Sequence, residues 1–348
     1  MIEIKSQLTA DSFFAARNSH NGFESYFDRL FNPRDYTKLF ILKGGPGTGK
    51  STLMRGIISF ANQKEIPAYS VLCSSDPNSL DGVILDNGNK RIAIIDGTAP
   101  HTRDPIFPGA IDEIINLGDG FNTSILEGKR EEIVTLSKEK STGYKKAYST
   151  LGTAKDIFDY IWNSFLESKI YSEAEFTASS LLSELDPVSR TGKNMQVLYS
   201  AFGKNGYTAL PTINGQKTVS LKGDKLVCSL VMRCISERLS NQGISAGVIR
   251  SSLDDRLIDR IIFNNFTLIS GEEGEVIDIG EYNPCDYCEN YHNMFASYTA
   301  LLNLAANRFK EASDAHFALE AIYSGAIDFR NNESVFQRLC ERLDKIFA

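Results

Sequence analysis

Residues 42–54 read "LKGGPGTGKSTLM", and this glycine-dense stretch dictates the architecture around it. Glycines at 44, 45, 47 and 49 disfavour both helix and strand, so a loop belongs here. Before it, "KLFIL" (38–42) is a short apolar run suited to a buried strand. After it, "KSTLMRGIISFANQ" (50–63) sets Leu53, Ile57, Ile58 and Ala61 on one helical face. Strand, glycine loop and helix in that order form the context required by the phosphate-loop (P-loop) pattern GxxxxGK[ST], met from Gly44 to Ser51.

That pattern carries a specific chemistry. The segment Gly44, Gly45, Pro46, Gly47, Thr48 and Gly49 can turn its backbone N–H groups inward around phosphate oxygens, because its glycines lack Cβ atoms. The following helix start adds partial positive charge. Lys50 is expected to reach the β- and γ-phosphates, Ser51 to offer its hydroxyl to Mg²⁺, and Thr52 to contact the α-phosphate. A second apolar run, "RIAIIDGT" (91–98), ends in Asp96, where a carboxylate at a strand's C-terminal end is expected to hold Mg²⁺ directly or through a water. A nucleotide with Mg²⁺ is therefore the expected ligand, with Lys50 and Asp96 as catalytic groups. ATP is the working expectation; no Asn-Lys-x-Asp guanine motif is present, and no adenine motif decides between ATP and GTP.

Size and charge narrow the class. A chain of 348 residues exceeds the usual reach of one hydrophobic core, so two domains are expected. A net charge of −7 argues against a nucleic-acid-coating surface. No apolar run approaches membrane-spanning length, and the start "MIEIKSQLTADSFF" lacks a secretory apolar core, so a cytoplasmic location is expected. The six cysteines form no dense framework, which fits free thiols in a reducing compartment.

The chain also repeats itself. Asn21-Gly22-Phe23 matches Asn205-Gly206-Tyr207, and residues 54–85 run beside 232–263 without a gap. In that alignment Asp76 meets Asp254 and Asp81 meets Asp259. Further on, 112–119 parallels 274–281 and the helical 143–161 parallels 294–312. Several matches in one order predict two tandem P-loop α/β units, 8–190 and 191–348, each a mostly parallel sheet flanked by helices with an appended helical hairpin.

The second unit has lost the expected chemistry. Its "LKGDKLVCSLVM" (221–232) is one residue shorter, puts Leu226 and Val227 where backbone should approach phosphate, and has no lysine before Ser229. Asp96 becomes Ser270. One working nucleotide site per chain is expected. Because Asp76 and Asp81 persist in the inert copy, structural roles are expected for both. The loop "DGTAPHTRDPIFPGAIDE" (96–113) instead shrinks to "SGEEGE", so it is a candidate for substrate contact. Within it His101 is a candidate for proton transfer or phosphate orientation, against the plainer reading of a turn histidine. Arg103 is a candidate for stabilising charge on the leaving phosphate. Cys285, Cys288 and His292 have a spacing that would set three zinc ligands on one helical face, but no fourth ligand lies nearby and helix cysteines are the preferred reading. The helical regions 127–186 and 285–347 read as covering helices or partner surfaces with no chemistry of their own.

Taken together, "LKGGPGTGKSTLM", "CSSDPNSLDGV", "IIDGTAPH", "DPIFPGAIDEIINLG" and the tandem repeat resemble an uncharacterised group of bacterial ATPase-like proteins known mainly from Gram-positive genomes. The resemblance implies two fused P-loop units and nucleotide binding; its members often keep both phosphate loops intact, which this chain does not. Asp96-Gly97-x-x-Pro100 is also loosely similar to small nucleotide kinases. The expected function is a Mg²⁺-dependent ATPase acting as a nucleotide-driven switch, answering to a protein partner. The alternatives are a small-molecule or nucleotide kinase that takes its acceptor at the 97–113 loop, and a binding or regulatory module with negligible turnover.

Overall fold

The computed structural model describes residues 12–190, 197–211, 217–280 and 282–348. Its first sheet has the order β1-β5-β6-β7-β4-β8. The strands are β1 (Ser12–Phe14), β4 (Lys38–Lys43), β5 (Ala68–Leu72), β6 (Leu80–Asp86), β7 (Arg91–Asp96) and β8 (Asp112–Asn116). A hairpin of β2 (Ala16–Ser19) and β3 (Gly22–Ser25) and the short α1 (Phe27–Leu30) precede β4, and α2 (Lys50–Gln63) follows it. Leu39, Phe40, Ile41 and Leu42 of β4 are fully buried, as are Ile92, Ala93, Ile94 and Ile95 of β7. A near-continuous apolar strand is what a sheet covered on both faces demands.

The remaining elements are α3 (Thr123–Gly128), α4 (Arg130–Leu166), α5 (Lys169–Leu185), a hairpin of β9 (Ser200–Gly203) and β10 (Gly206–Ala209), β11 (Lys217–Lys222), α6 (Lys225–Gln242), β12 (Gly247–Arg250), β13 (Ile258–Ile262), β14 (Phe266–Ser270), β15 (Glu275–Asp278), α7 (Tyr291–Ser324) and α8 (Arg330–Phe347). The second sheet has the order β12-β13-β14-β11-β15. In both sheets the strand before the glycine loop or its counterpart pairs in parallel with two neighbours, β4 with β7 and β8, β11 with β14 and β15.

A mostly parallel arrangement holds for the first sheet, where β1 also runs parallel to β5. It does not hold for the second, where β13 is antiparallel to both β12 and β14, as β6 is to β5 and β7, and where among the described residues no counterpart of β1 adds a further parallel pair. The reason is connection length: β6 and β7 are joined only by residues 87–90, β13 and β14 only by 263–265, and neither link can hold a parallel crossover.

Registers repeat as well as order. Leu42 pairs with Asp96 and Leu221 with Ser270. Gly97 donates its N–H to the Leu42 carbonyl at 2.9 Å, and Gly271 to that of Leu221 at 3.0 Å. Ser51 Oγ accepts from the Leu80 amide at 3.1 Å, and Ser229 Oγ accepts from the Ile258 amide at 3.0 Å.

The two long helices α4 and α7 lie antiparallel, with Lys140 beside His316, Phe158 beside Tyr298 and Phe165 beside Tyr291. A Cβ on Gly143 would sit 2.9 Å from that of Ala312, so glycine permits this close approach. The far end of each helical hairpin then packs away from the sheet that precedes it in the chain, while the start of α7 stays on that sheet's half, with Tyr291 and Tyr298 in the core around α6. Val335, Leu339 and Leu343 of α8 join the core around α2, together with Leu53, Met54, Ile57 and Ala61. Phe158, Trp162, Ile170 and Leu181 of α4 and α5 join the core around α6. The far ends of the helical extensions are therefore exchanged, and among the described residues neither half of the chain is closed without the other. Among the described residues, no helix is long and apolar enough to cross a membrane.

Candidate functional site

The glycine loop runs from the end of β4 into α2. Gly44, Gly47 and Gly49 have φ of 152°, 68° and 83°, the region that side chains with a Cβ rarely adopt. Thr48 is buried and its hydroxyl donates to the Gly45 carbonyl at 2.9 Å, closing the loop on itself. Lys50 Nζ donates to the Gly45 carbonyl at 2.9 Å and lies 3.6 Å from Asp96 Oδ2. Asp96 ends β7 beside β4, where Thr98 donates to its Oδ1 through the amide at 2.8 Å and the hydroxyl at 2.6 Å. One carboxylate oxygen is thus fixed while the other faces the lysine. The motif residues Gly44 through Thr52, together with Asp96, border one cavity of about 1030 Å³.

The opposite chain half closes this loop from outside. A Cβ on Gly47 would collide with the Glu320 carbonyl of α7. Gly45 lies against Tyr323 of α7, with Phe121 of its own half beside it, and Asn332 of α8 donates its side-chain amide to the Thr48 carbonyl at 2.7 Å.

Of the 96–113 loop, Thr98 through His101 reach the cavity. His101 is buried, stacks on Phe27 at 4.0 Å, and sets Nε2 3.0 Å from Asp81 Oδ2. Its Nδ1 has no hydrogen-bond partner. Asp81, for which the sequence suggested a structural role, borders the cavity. Asp259 is instead bound by the Tyr207 hydroxyl at 2.7 Å. Arg103 stands elsewhere. Its guanidinium is buried and donates to the Phe31 carbonyl at 2.6 Å, and its own carbonyl accepts from Lys43 Nζ at 2.6 Å. It does not border the cavity. The far end of the loop is folded by Asp112, whose carboxylate accepts from the amides of Ile106 and Phe107 at 2.9 and 2.6 Å.

The cavity has a wall that the motifs did not mark. Lys140 and Tyr144 of α4 and His316 and Glu320 of α7 face the glycine loop across it. Lys140 Nζ lies 3.2 Å from His316 Nδ1. An ammonium only donates, so Nδ1 holds the lone pair and Nε2 carries the proton, 3.5 Å from Glu320 Oε1. Burial, then the charges of Lys140 and Lys50, pushes the His316 ring down to about 4, so the ring is neutral near pH 7. Burial likewise draws Lys140 down and pushes the Glu320 carboxyl up. The signal was weak: a His and a Glu one turn apart on an otherwise amphipathic helix.

After β11, α6 begins at Lys225, and the carboxylate of Asp224 accepts from the amides of Leu226 and Val227 at 2.9 and 3.2 Å. The Tyr291 hydroxyl donates to the other oxygen at 3.0 Å. Leu226, Val227 and Cys228 are buried. An internal carboxylate therefore occupies the helix start that an anion would need.

Cys285 falls in the short helical turn Pro284–Asp286, and Cys288 precedes α7, on which His292 lies, so the single helical face expected for these three is not formed. Among the described residues no three His, Cys, Asp or Glu side chains gather as a metal-holding group. Comparison with models of known protein families, with curated proteins and with solved structures finds no match.

Proposed function

We propose that this chain is a cytoplasmic P-loop ATPase of duplicated architecture, with one working Mg·ATP site and a second unit that has become its structural partner. The observation that carries the reading is the pairing of Lys50 with Asp96, 3.6 Å apart beside a loop of left-handed glycines. A helix start with free amides and a lysine in its first turn favours a polyphosphate. Ser51 and Asp96 supply one hydroxyl and one carboxylate, the sparse oxygen set that suits Mg²⁺ when phosphates and waters complete its shell. Bound Mg²⁺ would neutralise charge on the β- and γ-phosphates.

On this reading Lys50 leaves the Gly45 carbonyl to hold the triphosphate, and Asp96, anchored by Thr98, stays in place. The repeated strand order and registers support the duplication and, with it, the resemblance to tandem ATPase-like proteins. Six free cysteines agree with a reducing compartment. The exchanged hairpins favour a switch: α7 and α8 touch the glycine loop, so a change there reaches the α4–α7 pair. The kinase alternative keeps one specific support, the cavity volume of about 1030 Å³, at the upper end for small-molecule sites.

Lys50→Ala tests the reading. ADP release from ATP should disappear and nucleotide affinity should fall, with far-UV circular dichroism unchanged. Near-normal hydrolysis by the folded variant would sink it. Stimulation of ADP release by a metabolite panel favours the kinase, and stimulation by a protein partner the switch.

A further inference from the structure

Lys140 is half-buried on α4, and its one side-chain hydrogen-bond partner is the ring of His316. Among the described residues it makes no ion pair with a carboxylate: Glu320 of the same wall favours its charge only from a distance, and Lys50, which shares the cavity, opposes it. Buried ammonium groups are ordinarily paired. A cation whose direct partner is a neutral ring, with Glu320 out of ion-pair reach and Lys50 in the same cavity, leaves room for an anion that arrives from outside.

The second unit supplies an independent observation. Under the repeat that sets 143–161 against 294–312, Lys140 corresponds to Tyr291 and His316 to Phe165. The helix pairing obeys the same correspondence: Lys140 meets His316, and Tyr291 meets Phe165 with ring centroids 5.8 Å apart. Tyr291 in turn donates to Asp224, the carboxylate seated on the start of α6. Beside the collapsed loop, this helix position thus reaches an anion held at the helix start. Beside the intact loop, the same position carries a lysine and no internal carboxylate caps α2, whose N-terminal neighbour is Gly49.

We propose that Lys140 is a second phosphate-binding cation, delivered by α4 and held ready by His316, that takes the terminal phosphate of a nucleoside triphosphate at the glycine loop. This rests on the nucleotide reading above and adds a discrimination to it. Lys50 belongs to the loop and binds any nucleotide polyphosphate there, whereas Lys140 reaches in from the helical wall and answers to the terminal phosphate. Moving from His316 to phosphate, Lys140 would couple the triphosphate state to the α4–α7 pair.

The test is calorimetric titration of the full chain with ADP and with a non-hydrolysable ATP analogue, both with Mg²⁺. For Lys140→Met, affinity for the analogue should fall roughly 10- to 100-fold, the worth of one charge-assisted hydrogen bond, while ADP affinity stays within about twofold. Lys140→Arg should retain most of the preference for the analogue, which separates charge from packing and serves if the methionine variant misfolds. Equal loss for both nucleotides, or no loss for either, overturns the assignment while leaving the nucleotide reading standing. Failure of the wild-type chain to bind either nucleotide overturns both.

Discussion

The side-chain amide of Asn332 donates to the carbonyl of Thr48 at 2.7 Å, so α8 clasps the glycine loop that follows β4. Asn332→Ala should leave that carbonyl without its protein donor and cost about 0.5–1.5 kcal/mol of stability. Urea unfolding should show a lower midpoint with an unchanged m-value. An unaltered midpoint would show that the clasp holds nothing.

One nucleotide should bind per chain. Asp224 already satisfies the amides of Leu226 and Val227, and buried Leu226 and Val227 leave no open cradle. Asp224→Ala should therefore destabilise by about 0.5–2 kcal/mol, the usual loss of a helix cap, without creating a second site. A stoichiometry of two in the wild-type chain, read by calorimetry with a non-hydrolysable ATP analogue, would restore a ligand-binding role to the second loop.

Ser51 and Ser229 make matching bonds but should differ in function. Ser229 is buried, and its loss would orphan the Ile258 amide, costing about 1–3 kcal/mol while nucleotide affinity holds. Ser51→Ala should remove the bond to Leu80 and also weaken Mg²⁺-dependent nucleotide binding. Measuring stability and affinity on both variants separates the shared structural bond from the metal role. Loss of nucleotide binding in a folded Ser229→Ala chain would contradict this division.

Acid should act through His316. Its ring lies at about 4 in the folded chain against 6.5 for an ordinary histidine, because burial and the nearby lysines disfavour the charged form. The unfolded chain then binds more protons between those values, so the ring's contribution is complete above about pH 6.5 and is lost as pH falls toward 4. Between these limits the wild-type chain should lose more stability than His316→Gln, measured by urea midpoints. Parallel pH profiles for the two would remove His316 from the account.

Local structure was legible in the order of residues. A run from Lys38 to Leu42, spaced glycines and an amphipathic helix from Lys50 specify strand, loop and helix through short-range sterics, and Asp96 at the end of an apolar run specifies its own placement. The sequence match of Asp96 with Ser270 corresponds to like positions in the two sheets, since the two residues sit opposite Leu42 and Leu221. The strand directions of the second sheet, the burial of Arg103 and the exchange of the hairpins were not legible. An amphipathic helix declares that it buries a face, but not which surface covers it, and two similar sheets offer two similar surfaces. That choice carried Lys140 and His316, 176 residues apart, to one cavity wall. Their meeting depends on the antiparallel packing of α4 on α7, a long-range arrangement that no local pattern around either residue encodes.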